Sequence, residues 1–140
     1  MSKIPPELIA AYEATHYVVE APDGPFTLII GEAQPRLHEI YKACDAQSAA
    51  FLTAWNPFSE QAAASDNRAW QTELEQRAEA LAIDQIRSRG VGSSGDWEPE
   101  DSTLIIGVSL ADATALGRSF RQNAFVWCGE DAVPRLILLR

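Results

Sequence analysis

Cysteine, histidine and methionine are scarce in this chain, at two, two and one residue in 140. Cys44 and Cys128 lie far apart, with no CxxC pair and no histidine at metal-ligand spacing, so neither a disulfide scaffold nor a zinc site is expected. Cys44 falls on a helical stripe and Cys128 follows Phe125-Val126-Trp127, contexts in which a free thiol acts as a small buried hydrophobe. A reduced, cytoplasmic protein is the expectation. No apolar run approaches the ~18 residues of a membrane-crossing helix, and Met-Ser-Lys-Ile-Pro-Pro lacks the apolar core and cleavage site of a secretory signal. Bases are short as well, 11 against 20 acids for a net charge of -9, a balance that repels phosphate backbones and anionic membranes. Nucleic acid and membrane are therefore excluded as expected partners, and nothing in the composition requires a cofactor or a metal.

What is present is ordinary globular material: 46% hydrophobic and 22% charged residues, in a length that suits one domain across residues 1–140. Pro5 and Pro6 suit a first helical turn, and Ile4, Leu8, Ala11 and Tyr12 recur at helical spacing, predicting a helix over 5–14. The runs 16–20 and 26–30, separated by Ala-Pro-Asp-Gly-Pro, predict an antiparallel hairpin. Pro35 opens a second helix with Leu37, Ile40, Tyr41 and Cys44 on one face, and residues 49–55, closed by Asn56-Pro57, form a buried strand. A third helix spans 65–82, capped by Ser65 or Asp66, with Trp70, Leu74, Ala78 and Leu81 along its buried side. Charged Asp84, Arg87 and Arg89 make 83–91 an edge or one-faced strand. Gly92-Ser93-Ser94-Gly95 is a turn and Asp96 to Asp101 an acidic loop. A strand over 103–108 leads into a helix to about 121, opened by Ser109 with Asp112 three residues on, and strands 123–128 and 134–139 close the sheet as a hairpin. The sum is a single α+β domain with a mixed or antiparallel sheet of six or seven strands and flanking helices.

Thr-Leu-Ile-Ile-Gly occurs twice, at 27–31 and 103–107, each time followed by a helix and an alanine-aromatic strand. The order ββαβ then repeats, through Trp55 in one half and Trp127 in the other. Chance recurrence of a β-rich pentapeptide and a pseudo-symmetric duplication both account for it.

Chemistry concentrates in Thr53-Ala54-Trp55-Asn56-Pro57-Phe58-Ser59. Proline drives Asn56 toward an extended conformation and ends strand pairing, so Asn56 and Ser59 project from the end of a buried strand, a frequent place for ligand groups. An asparagine amide beside a tryptophan face suits a planar hydrogen-bonding ligand; turn-forming and core roles are the plainer alternative. Gln122 and Asn123 form a second amide pair, with a helix-end surface role for Gln122 and a left-handed cap for Asn123 as alternatives. Asn67 joins the candidates from the first turn of the third helix, where solvation is the usual role. His16 and His38 have no partner at motif spacing, so no catalytic constellation is identified. Glu98, Glu100 and Asp101 offer carboxylates for a cation or acid/base pair, though an acidic loop is ordinarily solvated. Arg68, Arg118 and Arg121 would form an anion corner if the fold gathered them near the amides. Gly90 to Gly95 has near-dinucleotide glycine spacing, but acids rather than a helix follow it, and that reading fails.

Pro25-Phe26-Thr27-Leu28 with Ile30-Gly31, Thr53-Ala54-Trp55-Asn56-Pro57 with Ser59, Asn67, and Phe120-x-Gln122-x-Ala124 with Trp127 together resemble the DUF3293 family of bacterial proteins. The resemblance implies a small bacterial single-domain protein and carries no activity with it. Two positions depart from the family pattern: Arg121 stands where members tend to have glycine, and Trp97-Glu98-Pro99-Glu100-Asp101-Ser102 replaces a compact Trp-Glu-Pro-Ser run, so the family's acid falls on Glu98 or Glu100. The leading functional expectation is a binder of a small planar or amide-bearing, nucleotide-like metabolite, using Trp55, Asn56, Ser59, Asn67, Gln122 and Asn123, and working as a monomer or weak dimer. The rival is an interaction module that engages a basic partner through its acidic surface and the strand edge near 84–91. A metal-assisted hydrolase built on Glu98, Glu100 or Asp101 is weaker for want of an imidazole ligand.

Overall fold

The computed structural model describes residues 2–93 and 97–140. The elements follow the chain as α1 (Pro6–Ala14), β1 (His16–Val19), β2 (Phe26–Leu28), α2 (Pro35–Cys44), β3 (Ala49–Leu52), a short 3-10 turn (Pro57–Ser59), α3 (Ala64–Glu79), β4 (Asp84–Val91), β5 (Glu100–Ile106), α4 (Leu110–Ser119), β6 (Ala124–Cys128) and β7 (Pro134–Leu138). The seven strands form one sheet in the order β2-β1-β4-β5-β3-β6-β7, and every neighbouring pair is antiparallel. This is the α+β domain expected. The turn read at Gly92 to Gly95 lies partly outside the described residues, as does Asp96.

Strand alternation sends side chains to two cores. On one face Val19, Leu28, Phe51, Leu104, Ile106 and Val126 pack with Leu37 and Tyr41 of α2. On the other, Leu52, Ile105, Val108 and Phe125 pack with Leu74 and Ala78 of α3 and Leu116 of α4. Each fully buried leucine or isoleucine contributes roughly 1.5–3 kcal/mol of transfer free energy, so the continuous apolar centre of β5 anchors the sheet. Helix starts follow local chemistry: the Gln34 side chain accepts from Arg36 N at α2, and Ser109 Oγ accepts from Asp112 N at 3.1 Å at α4, as the capping pattern predicts.

Four expectations need correction. Strand β4 lies inside the sheet, between β1 and β5, so the exposed edge near 84–91 does not exist; its charges Arg87 and Arg89 leave one face into solvent. The edges are β2 and β7, three and five residues long, and Pro134 opens the second. Helix α3 begins at Ala64 with Ala63 at its cap and no side-chain capping bond, and it buries Asn67, Gln71, Leu74 and Ala78 while Leu81 is exposed. The strand read as 49–55 ends at Leu52, whereas the strand read from 103 begins at Glu100. The element order ββαβ does occur twice, but the sheet does not repeat it: β3 lies four places from β2, and β6 only two from β5. Trp55, beyond the end of β3, and Trp127, within β6, are accordingly not equivalent.

Candidate functional site

The antiparallel register brings the starts of β1, β5 and β6 and the ends of β4, β3 and β7 to one end of the sheet. On the face that α2 covers at the opposite end, α1 forms the roof here. A cavity of about 360 Å³ lies between them, within the range of small-molecule sites. Its floor is apolar, with Tyr17, Phe51, Val126 and Leu136, and the roof is Leu8, Ala11, Tyr12 and Thr15. Thr53, Trp55, Asn56, Ser59, Trp97, Glu100, Gln122 and Asn123 supply the polar side.

Five of the six candidates read from the sequence, Trp55, Asn56, Ser59, Gln122 and Asn123, line this one cavity. Asn67 stands behind it, on a second hollow of about 80 Å³ shared with Trp55, Asn56 and Trp97. Asn67 is the clamp of the loop. Its Oδ1 accepts from Asn56 N at 2.8 Å and its Nδ2 donates to Asn56 Oδ1 at 3.0 Å, while Ala62 N donates to the same Asn56 oxygen. One helical turn on, Gln71 Oε1 accepts from Ala54 N at 2.9 Å. The buried face of α3 thus carries amides because it holds an irregular main chain whose polar groups have no strand partner.

That clamp explains the backbone. Asn56 is left-handed at φ 47°, not extended, and Phe58 and Ser59 follow at φ 55° and 60°. Three non-glycine residues in this region within four positions cost about 1–2 kcal/mol each. Asparagine tolerates the conformation best, and its anchored side chain, with Phe58 N donating to Arg121 O at 2.7 Å, fixes the turn so that Ser59 faces the roof. Arg121 is itself left-handed at φ 54°, which gives the physical reason why glycine suits that position and makes Arg121, rather than Asn123, the cap after α4.

Gln122 and Asn123 are 8% and 4% exposed, so Gln122 does not take the surface role open to it in the sequence, and Asn123 is a buried residue and not a left-handed cap. Gln122 Nε2 donates to Trp55 O at 3.2 Å, tying β6 to the loop after β3. Asn123 Nδ2 donates to Tyr12 Oη at 3.0 Å and Ser59 Oγ at 3.3 Å, its Oδ1 accepts from Arg140, and the Tyr12 and Ser59 hydroxyls bond to each other. Tyr17 Oη donates to Tyr12 O at 2.5 Å, which seats the roof on β1.

Of the three acids, Glu100 belongs to the site; Glu98 and Asp101 are exposed. Because β5 begins at Glu100, opposite Gly90, its carboxylate is fixed by the sheet rather than by a loop. Oε2 accepts from Trp97 Nε1 and Asn56 Nδ2, both at 2.8 Å. Burial pushes the carboxyl above its ordinary value, and those two hydrogen bonds oppose the shift. Burial likewise raises the Tyr17 phenol, and it pushes the Cys128 thiol, at the other end of the sheet, up to about 12. Arg68, Arg118 and Arg121 do not gather at the amides: all are exposed, none lines either hollow, and Arg121 lies over the Trp70 ring. Among the described residues no group of three His, Cys, Asp or Glu side chains is placed to hold a metal ion, and no helix is long and apolar enough to cross a membrane.

Tyr12, which the sequence places on a helix stripe, Tyr17, which it places in a strand, and Trp97 join the site beyond the candidates the sequence offers. No local pattern marks a tyrosine that meets its partner 111 positions away. Fold and site together define a seven-stranded α+β domain with a roofed hollow at one sheet end. The chain belongs to the family described as Protein of unknown function (DUF3293), whose pattern matches residues 52–125, more than half of its length. No curated protein and no solved structure matches it. The matched segment holds Trp55, Asn56, Ser59, Asn67, Trp97, Glu100, Gln122 and Asn123, while Tyr12, Tyr17 and Arg140 lie outside it.

Proposed function

We propose that this protein binds a small planar metabolite with hydrogen-bonding edges, nucleobase-like or amide-bearing, in the cavity beside Trp55-Asn56-Pro57. The observation that carries this reading is the convergence on one cavity of Trp55, Asn56, Ser59, Gln122 and Asn123, held there by spent backbone strain and buried amides. A domain needs no such construction to fold, and strained backbone collects where geometry serves a ligand. The Trp55 indole N–H adds to it: among the described residues it is buried without a hydrogen-bond partner, an arrangement that costs about 1–3 kcal/mol until an acceptor meets it. We place the protein in a bacterial cytoplasm, a reading supported by the free thiols Cys44 and Cys128.

The test is a thermal-shift panel of nucleobases, nucleosides and planar amides. A true ligand at 100 times its Kd stabilises by about 2.7 kcal/mol, a rise of several degrees. Ala124→Trp, which puts a large side chain into the cavity from β6, should abolish the rise. A panel without a hit, or hits unaffected by Ala124→Trp, would overturn the reading.

A further inference from the structure

The charge of the cavity is one-sided. Among the described lining residues Glu100 is the single carboxylate, and no lysine, arginine or histidine lines the space with it. Both of its hydrogen bonds, from the Trp97 indole and the Asn56 amide, fall on Oε2; Oε1 has no partner among the described residues, and none of their salt bridges includes Glu100. The two donors orient the half-buried carboxylate without neutralising it, and partial burial makes a counter-charge beside it favourable. Around it stand the rings of Tyr12, Tyr17, Phe51, Trp55 and Trp97, whose faces attract cations. The net charge of -9 favours the approach of a cation and disfavours a phosphate.

We propose, resting on the small-ligand reading above, that the ligand presents a protonated planar nitrogen group of the amidinium or guanidinium class, paired with Glu100 and enclosed by the aromatic rings. A flat cation offers N–H donors to the carboxylate in one plane and its face to the rings. Burial raises the Glu100 carboxyl, and such a partner would draw it back down on binding.

Benzamidine and benzamide separate the claim from the broader one, since they share shape and differ in charge. Titration of each into the full chain, followed by the indole N–H signals of Trp55 and Trp97 and the side-chain amides of Asn56 and Asn123, should show benzamidine at least about tenfold tighter. In Glu100→Gln the preference should disappear while benzamide still binds. Should that variant fail to fold, the wild-type ratio decides alone. Benzamide binding as tightly as benzamidine, in a manner blocked by Ala124→Trp, overturns the cationic claim and leaves the planar-ligand reading standing. If neither compound perturbs those signals the cationic claim falls, and the nucleobase panel judges the broader reading separately.

Discussion

Glu100 and Asn67 show how single side chains set the site. Burial keeps the Glu100 carboxyl above the ordinary 4.5, so at intermediate pH the folded protein holds a proton that the unfolded chain has released. The stability tied to that proton is complete below about pH 4.5 and is lost as pH rises through the folded value. Glu100→Gln should therefore melt higher than the wild type at neutral pH, with the gap closing as pH falls through the raised folded value toward 4.5. Calorimetry across that range checks it, and a gap independent of pH would refute the burial argument. Asn67 is 2% exposed and satisfies both the main chain and side chain of Asn56. Asn67→Ala should cost about 2–4 kcal/mol in urea denaturation, because it leaves buried partners unpaired. Ser65→Ala, at an exposed position that caps nothing, should stay within about 0.5 kcal/mol.

At the scale of elements, the repeated pentapeptide supplies a comparison. Gly31 and Gly107 close its two copies at φ 87° and 83°, yet a Cβ on Gly31 would meet nothing within 4 Å, and one on Gly107 would stand 2.6 Å from Ile83 Cδ1. Gly31→Ala should cost about 1 kcal/mol from backbone strain alone, and Gly107→Ala about 1–3 kcal/mol more from the collision. Equal losses in parallel denaturation curves would show that Ile83, exposed as it is, simply swings aside. The four helices and seven strands of the described residues were legible, since 3.6- and 2-residue periods and proline punctuation govern them. The orientation of α3 was less so. Hydropathy selects Trp70, Leu74, Ala78 and Leu81, but Asn67 and Gln71 turn inward to bond residues 54 and 56, and amides serving main chain look like solvent-facing residues in a sequence. For the same reason the interior place of β4 was hidden: Arg87 and Arg89 mark one wet face, and one wet face does not make an edge.

Over the whole molecule the least anchored element is the one that closes the cavity. Helix α1 buries none of its residues and is held mainly by the Tyr12 and Tyr17 hydroxyls, whereas the core run of β5 is buried on both faces. Hydrogen exchange should be fastest in α1 and slowest in β5, and a ligand in the cavity should slow α1 more than any other element. Uniform protection would place the ligand elsewhere. The candidate site was legible as residue types, Trp55, Asn56, Ser59, Gln122 and Asn123, because strand ends and amide-aromatic pairs are local features. Its completion by Tyr12 and Tyr17 was not, and Glu100 was legible only as one of three acids, since that depends on which strands become neighbours, and sheet order is set by pairings far apart in the chain.

Two of the four tryptophans look onto the same small space in different electrostatic states, Trp97 with its indole N–H on the Glu100 carboxylate and Trp55 with its own unpartnered. Indole emission shifts with the field and hydration at the ring, so the protein carries its own optical gauge of the cavity. Occupancy can be followed by intrinsic fluorescence without a label, and Trp97→Phe and Trp55→Phe would assign the two signals.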